Sequence, residues 1–196
     1  IMATAVLVVP VLMGAEAVFQ SPAPLYAVHT AIDVPAPPER VWKNVISFPD
    51  LSRPAGWAFR TGVAYPIGAR IDGTGPGAVR HCRFSTGDFV EPIEVWDEPH
   101  LLRFSVSANP EPMREWTLYG TAHPPHLDGF LASRAGEFRL TALPDGGTRL
   151  EGTTWYQHHM WPAQYWRWWS DYLIHQIHRS VLDHVAHLAV ESEAQP

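Results

Sequence analysis

Cysteine is almost absent. The 196 residues hold one, Cys82, so no internal disulfide can form and the fold does not depend on oxidising conditions. Basic residues are also scarce: 14 Lys and Arg stand against 20 Asp and Glu, a formal charge of −6. They form no cluster of the kind that gathers nucleic acid, which excludes polyanions as natural partners. No Gly-x-Ser-x-Gly elbow occurs and no glycine-rich phosphate loop follows a strand, so the sequence offers neither a serine-hydrolase nucleophile nor a nucleotide cradle. No His-Glu-x-x-His run supplies a close-set metal site, and no internal repeat points to a solenoid. The expectation from these gaps is a chain without nucleic acid, resident metal or cofactor.

Apolar and aromatic surface is plentiful. Hydrophobic residues make up 46% of the chain and nine are tryptophans, enough for one globular domain with a real core and an appendage. The appendage is the stretch 1–19, whose single charge is Glu16. As a helix it would span about 28 Å, close to the ~30 Å hydrocarbon core of a bilayer. It reads as a membrane helix that makes the chain membrane-associated, and the first basic residues, Arg40 and Lys43, lie too far along to fix its orientation. Ala15-Glu16-Ala17 also fits a small-x-small cleavage site; with 1–17 removed as a signal, the chain would be secreted or periplasmic. A third reading packs the segment on its own domain. The chain starts at Ile1, as expected of a piece with further sequence upstream. Residues 20–25, with Pro22 and Pro24, read as an extended linker.

From residue 26 the pattern changes. Residues 27–34 alternate as a half-buried strand does, with Val28, Thr30, Ile32 and Val34 on one face. Pro37 and Pro38 then open a helix whose apolar face is Val41, Trp42, Val45 and Ile46 and which stops at Pro49; residues 50–53 suggest one more helical turn. Strand-like runs follow at 68–73, 78–84, 89–96 and 100–106, separated by Gly, Pro and Asp turns, and resume at 136–143 and 148–158. Between them, 107–135 is dense in Pro, His and Gly around a short run at 116–119, and reads as a lid with Trp116, Tyr119, His123, Pro124, Pro125 and His126. Last comes a helix over 161–190. Trp166, Leu173, Ile174, Ile177, Val181, Val185 and Leu188 recur on it at three-and-four spacing, the stripe of a helix laid against a sheet.

The stretch Ile32-Asp33-Val34-Pro35-Ala36-Pro37-Pro38-Glu39-Arg40-Val41-Trp42, followed by Phe48-Pro49-Asp50-Leu51, resembles the opening strand and helix of the polyketide cyclase/dehydrase branch of the START-like superfamily (SRPBCC, Bet v 1-like). The turn Gly147-Thr148-Arg149-Leu150 and the amphipathic last helix are similar too, and the likeness covers 26–191. It implies an α+β helix-grip domain over 26–196, a curved antiparallel sheet around a long C-terminal helix. It also implies an internal cavity, which in different members holds lipids, sterols, polyketides or hormones; some members are enzymes and others only bind or carry. Fold alone does not transmit chemistry.

Small residues at Gly152 and Thr154, on the strand face shared with Leu150 and Tyr156, leave room for such a cavity. Alternation and the helical stripe place Phe84, Phe104, Leu140, Thr154, Tyr156, Trp166, Ser170, Leu173, Ile177 and Val181 on its wall. Asp171, His175 and His178 share one margin of the helix, since residues three, four and seven apart lie together. With His126 and His158 they offer an acid/base set or a zinc-like site in which Asp171 orients His175, set against an ordinary solvated helix margin. Tyr156 and His158 are candidates to polarise a ligand carbonyl. His184 lies within the apolar stripe as a core histidine, and Cys82 is a small core residue. The function expected is membrane-tethered binding, transport or sensing of a hydrophobic small molecule. The alternative is a cyclase or dehydratase acting in the same cavity.

Overall fold

The computed structural model describes residues 23–54, 56–117, 120–122 and 129–191, with five further positions between 8 and 15. Apart from those five, the apolar segment 1–19 lies outside the described residues. Among the described residues no helix is long and apolar enough to cross a membrane.

Strand β1 (Tyr26–Val34) leads into helix α1 (Pro38–Ile46). Pro37 caps α1 and Pro38 opens it, where a missing N–H costs nothing, and the face it buries is Val41, Trp42 and Val45. The expected turn over 50–53 is not helical. A short helix α2 (Trp57–Arg60) stands a few residues later. Then come β2 (Pro66–Asp72), β3 (Val79–Phe84), β4 (Gly87–Asp97) and β5 (Leu101–Ser105). The hairpin of β6 (Glu115–Thr117) and β7 (Gly120–Ala122) falls in the stretch read as a lid; Tyr119, His123, Pro124, Pro125 and His126 lie outside the described residues. Strands β8 (Leu131–Ala142) and β9 (Thr148–His158) precede helix α3 (Ala163–Glu191).

β8 begins at Leu131, five residues before the alternation starts at 136. Its first half is Leu-Ala-Ser-Arg-Ala, with no β-branched residue, and a register shift between Ser133 and Ala135 breaks the period. Long-range pairing with β9 makes it a strand, Leu131 lying opposite His158.

Seven strands form one antiparallel sheet in the order β1-β9-β8-β5-β4-β3-β2. Further register shifts occur in β2, between Pro66 and Gly68, and in β4, between Ile93 and Val95. Such bulges increase local twist and bend, and the sheet curls into a half-barrel around α3. The helix is shared between two tasks. Its C-terminal half inserts Val181, Leu182, Val185 and Ala189 into the core with Val34, Trp42, Leu102, Leu140 and Leu150. Its N-terminal half leaves space beneath it. His184 is turned edge-on to Phe48 at 5.8 Å, and its Nε2 is buried without a partner.

Candidate functional site

The space under the N-terminal half of α3 is a cavity of about 650 Å³, within the range of about 300–1,000 Å³ usual for small-molecule sites. Phe84 on β3, Phe104 on β5, and Thr154 and Tyr156 on β9 stand on its wall. Trp166, Ser170, Leu173, Ile177 and Val181 face it from α3. Leu140 does not. It pairs with Leu150, further along the sheet, and sits in the core at 2% exposed. Two glycines make the room. A Cβ at Gly136 would lie 2.6 Å from Phe104 Cζ, so only glycine lets that ring cross β8, while Gly152 lies on the wall itself.

The wall is mainly apolar, but it carries a buried ion pair that strand alternation alone would have found. Arg80 shares a strand face with Cys82 and Phe84, and the register sets it opposite Glu91. Arg80 is 1% exposed and Glu91 6%. Arg80 Nη1 donates to Glu91 Oε2, and Nε donates to the Ile46 carbonyl at 3.3 Å. Burial pushes the Glu91 carboxyl above the ordinary range against the pull of Arg80. Cys82 is buried beside the pair and burial pushes its thiol up to about 12, which makes it a poor nucleophile.

On the β1/β9 side of α3 the expected row is divided between two sets of partners. His178, on the cavity wall, meets Thr154 Oγ1 through Nε2 at 2.8 Å and Thr30 Oγ1 through Nδ1 at 3.0 Å. The same Thr30 oxygen meets His175 Nδ1 at 2.8 Å. Asp171 does not orient His175: it accepts the Tyr156 hydroxyl proton at 2.6 Å and faces Arg167 Nε at 3.5 Å. Burial and that bond to Asp171 push the Tyr156 phenol well above its ordinary range, so its proton is committed to the carboxylate. His158 is 3% exposed, stacked on Tyr26 at 5.2 Å and on Tyr156 at 6.2 Å, and neither ring nitrogen has a partner. Burial lowers its pKa. Among the described residues no three His, Cys, Asp or Glu side chains converge as metal ligands do.

Burial, with His175 and His29 nearby, lowers the His178 pKa to about 4, against about 6.5 in an unfolded chain. Between those values the unfolded chain holds the extra proton. Folding stability should therefore fall as pH drops from about 6.5 towards about 4, by up to about 3 kcal/mol. Thermal unfolding between about pH 7 and about pH 4.5 measures this, and a His178→Gln chain should show a flatter dependence. An unchanged slope in that variant would remove His178 from the account.

Residues 26–158 match the model of a family described as polyketide cyclase/dehydrase and lipid transport. No curated protein matches the chain in sequence. Among solved structures, a Nitrosospira multiformis protein is similar at 20% identity and TM-score 0.51, over 87% of this chain and all of that one. Norcoclaurine synthase from Thalictrum flavum, a point mutant with a transition-state analogue, is similar at 12% identity and TM-score 0.53, over 89% and 99%. The di-domain ARO/CYC BexL of the BE-7585A biosynthetic pathway is similar at 15% identity and TM-score 0.54, over 90% of this chain and 52% of that one. At such identities the likeness is one of fold.

Proposed function

We propose that this chain, which belongs to the polyketide cyclase/dehydrase and lipid transport family, binds an apolar small molecule in its cavity and carries or senses it. The observation that carries the reading is the cavity itself: about 650 Å³, walled by Phe84, Phe104, Trp166, Leu173 and Ile177. Water in such a space has few partners, and an apolar ligand displaces it favourably. The apolar composition of 1–19 supports a tether that keeps the domain near a membrane reservoir of such molecules. A second reading, a cyclase or dehydratase acting on an apolar substrate, has in its favour that Tyr156 and His178 both stand on the wall. Binding is favoured because the Tyr156 proton and both His178 nitrogens are already engaged by Asp171, Thr30 and Thr154.

The full chain should be recovered from the membrane fraction of its host, and native mass spectrometry should show it with an extractable apolar compound bound. A Ser170→Trp chain, with a bulky ring on the cavity wall, should come out empty. Recovery in the soluble fraction would sink the tether. An empty wild-type chain that no apolar compound stabilises would sink the binding reading. Turnover of the extracted compound that disappears in a His175→Ala/His178→Ala chain would establish the enzyme instead.

A further inference from the structure

We infer that the outer face of the N-terminal half of α3, with Trp57 of α2 beside it, is a contact surface for an uncharged lipid bilayer and holds the cavity against the membrane. This rests on reading 1–19 as a tether and adds how the domain sits on the bilayer. Tyr165, Trp168, Trp169 and Tyr172 follow one another at intervals that gather them into one stripe of a helix. Trp57 meets that stripe edge-on to Trp169 at 6.0 Å. Trp168 is 67% exposed, Trp57 59%, Tyr165 48% and Tyr172 44%. Aromatic surface left open over several neighbouring side chains marks a contact site, where a single exposed ring would not.

Charge and the path of the chain identify what covers it. Between residues 161 and 174 the only Asp, Glu, Lys or Arg side chains are Arg167 and Asp171, and they face each other at 3.5 Å. The stripe therefore offers nothing to a charged partner, whereas Trp and Tyr, apolar in the ring and polar at its edge, settle at the headgroup level of a bilayer. The chain also enters the domain beside it. Gln157 Nε2 donates to the Ala23 carbonyl at 2.8 Å, and Arg167, between Trp166 and Trp168, lies over the Tyr26 ring at 4.8 Å. Phe19 is four residues before Ala23, so the apolar segment ends within about 14 Å of that point. Its five described residues, Val8, Pro10, Val11, Gly14 and Ala15, are all exposed, and none of them covers the stripe.

Trp169 joins this surface to the cavity. It packs against Trp57, Tyr165 and Tyr172 and stands with Trp166 on the cavity wall. A bilayer resting on the stripe thus lies one side chain away from the cavity, and an apolar molecule passes between the two with little exposure to water. With a formal charge of −6 and no basic cluster, the domain gains nothing from anionic lipid.

Spin labelling of the full chain on phosphatidylcholine vesicles tests this. Cys82 is buried, and the unsubstituted chain treated with the label serves as the blank. A nitroxide on Gln164→Cys, exposed on α3 four residues before Trp168, should lose most of its collisions with a water-soluble nickel chelate when vesicles are added and keep those with oxygen. One on Ala142→Cys, exposed and paired with Thr148 at the end of β9 remote from the start of α3, should not change. In a Trp57→Ser/Trp168→Ser chain the Gln164→Cys label should regain its nickel collisions while the chain still sediments with the vesicles through 1–19. Tyr165→Ser/Tyr172→Ser gives the same return if the tryptophan pair does not fold. Protection that survives both pairs, that requires phosphatidylglycerol in the vesicles, or that arises without vesicles as the chain self-associates overturns the lipid contact and leaves the tether standing. A wild-type chain that stays in the supernatant overturns the tether and the contact together.

Discussion

Replacing Arg80 by methionine should destabilise the chain by about 3–5 kcal/mol, the usual cost of removing one member of a buried ion pair. Glu91 is 6% exposed and Arg80 is the one cation with which it forms an ion pair among the described residues. Once Arg80 is gone, the carboxylate must take up a proton or stay charged away from water, and either course costs free energy. The Arg80→Met/Glu91→Leu chain should regain most of the loss, because an apolar replacement of the whole pair leaves no charge to desolvate. Urea unfolding of the wild type, both single variants and the double variant measures the coupling, read from midpoints at unchanged slope. Single-variant costs that simply add in the double variant would show that the two groups do not depend on one another.

Trp42→Ala should cost a comparable amount, about 3–5 kcal/mol. Trp42 is fully buried in α1 and lies edge-on to Trp96 at 5.7 Å, so alanine leaves a cavity where helix and sheet meet. Trp42→Phe should cost much less than Trp42→Ala. The indole Nε1 is buried with no hydrogen-bond partner, so phenylalanine gives up ring volume while removing an unsatisfied donor. Thermal unfolding of both variants would separate the two contributions. A phenylalanine variant as unstable as the alanine one would show that the indole N–H has a partner in solution.

Trp42 also shows how much of this fold is legible in residues alone. Its spacing from Val41, Val45 and Ile46 on a helix opened by Pro38 identifies both the element and its buried face. The three-and-four stripe of α3 does the same for most of the cavity-facing side of that helix. Strand parity orients Phe84, Thr154 and Tyr156, and the same parity orients Arg80, although an arginine on an inward face runs against the habit of reading charge as surface. What parity cannot supply is distance along the strand. Leu140 has the facing of a wall residue but lies at the core end of β8, and only the pairing Leu140↔Leu150 reveals it. The partner of Asp171 was hidden for a related reason. His175 lies four residues after it and Arg167 four before, spacings that a helix treats alike, and Tyr156, which takes one carboxylate oxygen, belongs to a different element. Order within the sheet, bulges and the start of β8 likewise come from long-range pairing.

The hydroxyl of Thr30 touches two imidazoles, yet it has one hydrogen to give. If it donates to His175 Nδ1, it must accept from His178 Nδ1–H, and the Nε2 of His178 is then bare and takes the hydrogen of Thr154. If it donates to His178 instead, every bond in the series runs the other way and His178 presents its hydrogen to Thr154. As long as the Thr30 hydrogen is spent on one of the two imidazoles, four side chains from β1, β9 and α3 share one polarity with two settings, and no member reverses alone. Whatever oxygen or nitrogen approaches Thr154 from the cavity meets the end of that series, and its own need to give or accept a hydrogen selects the setting as far as His175.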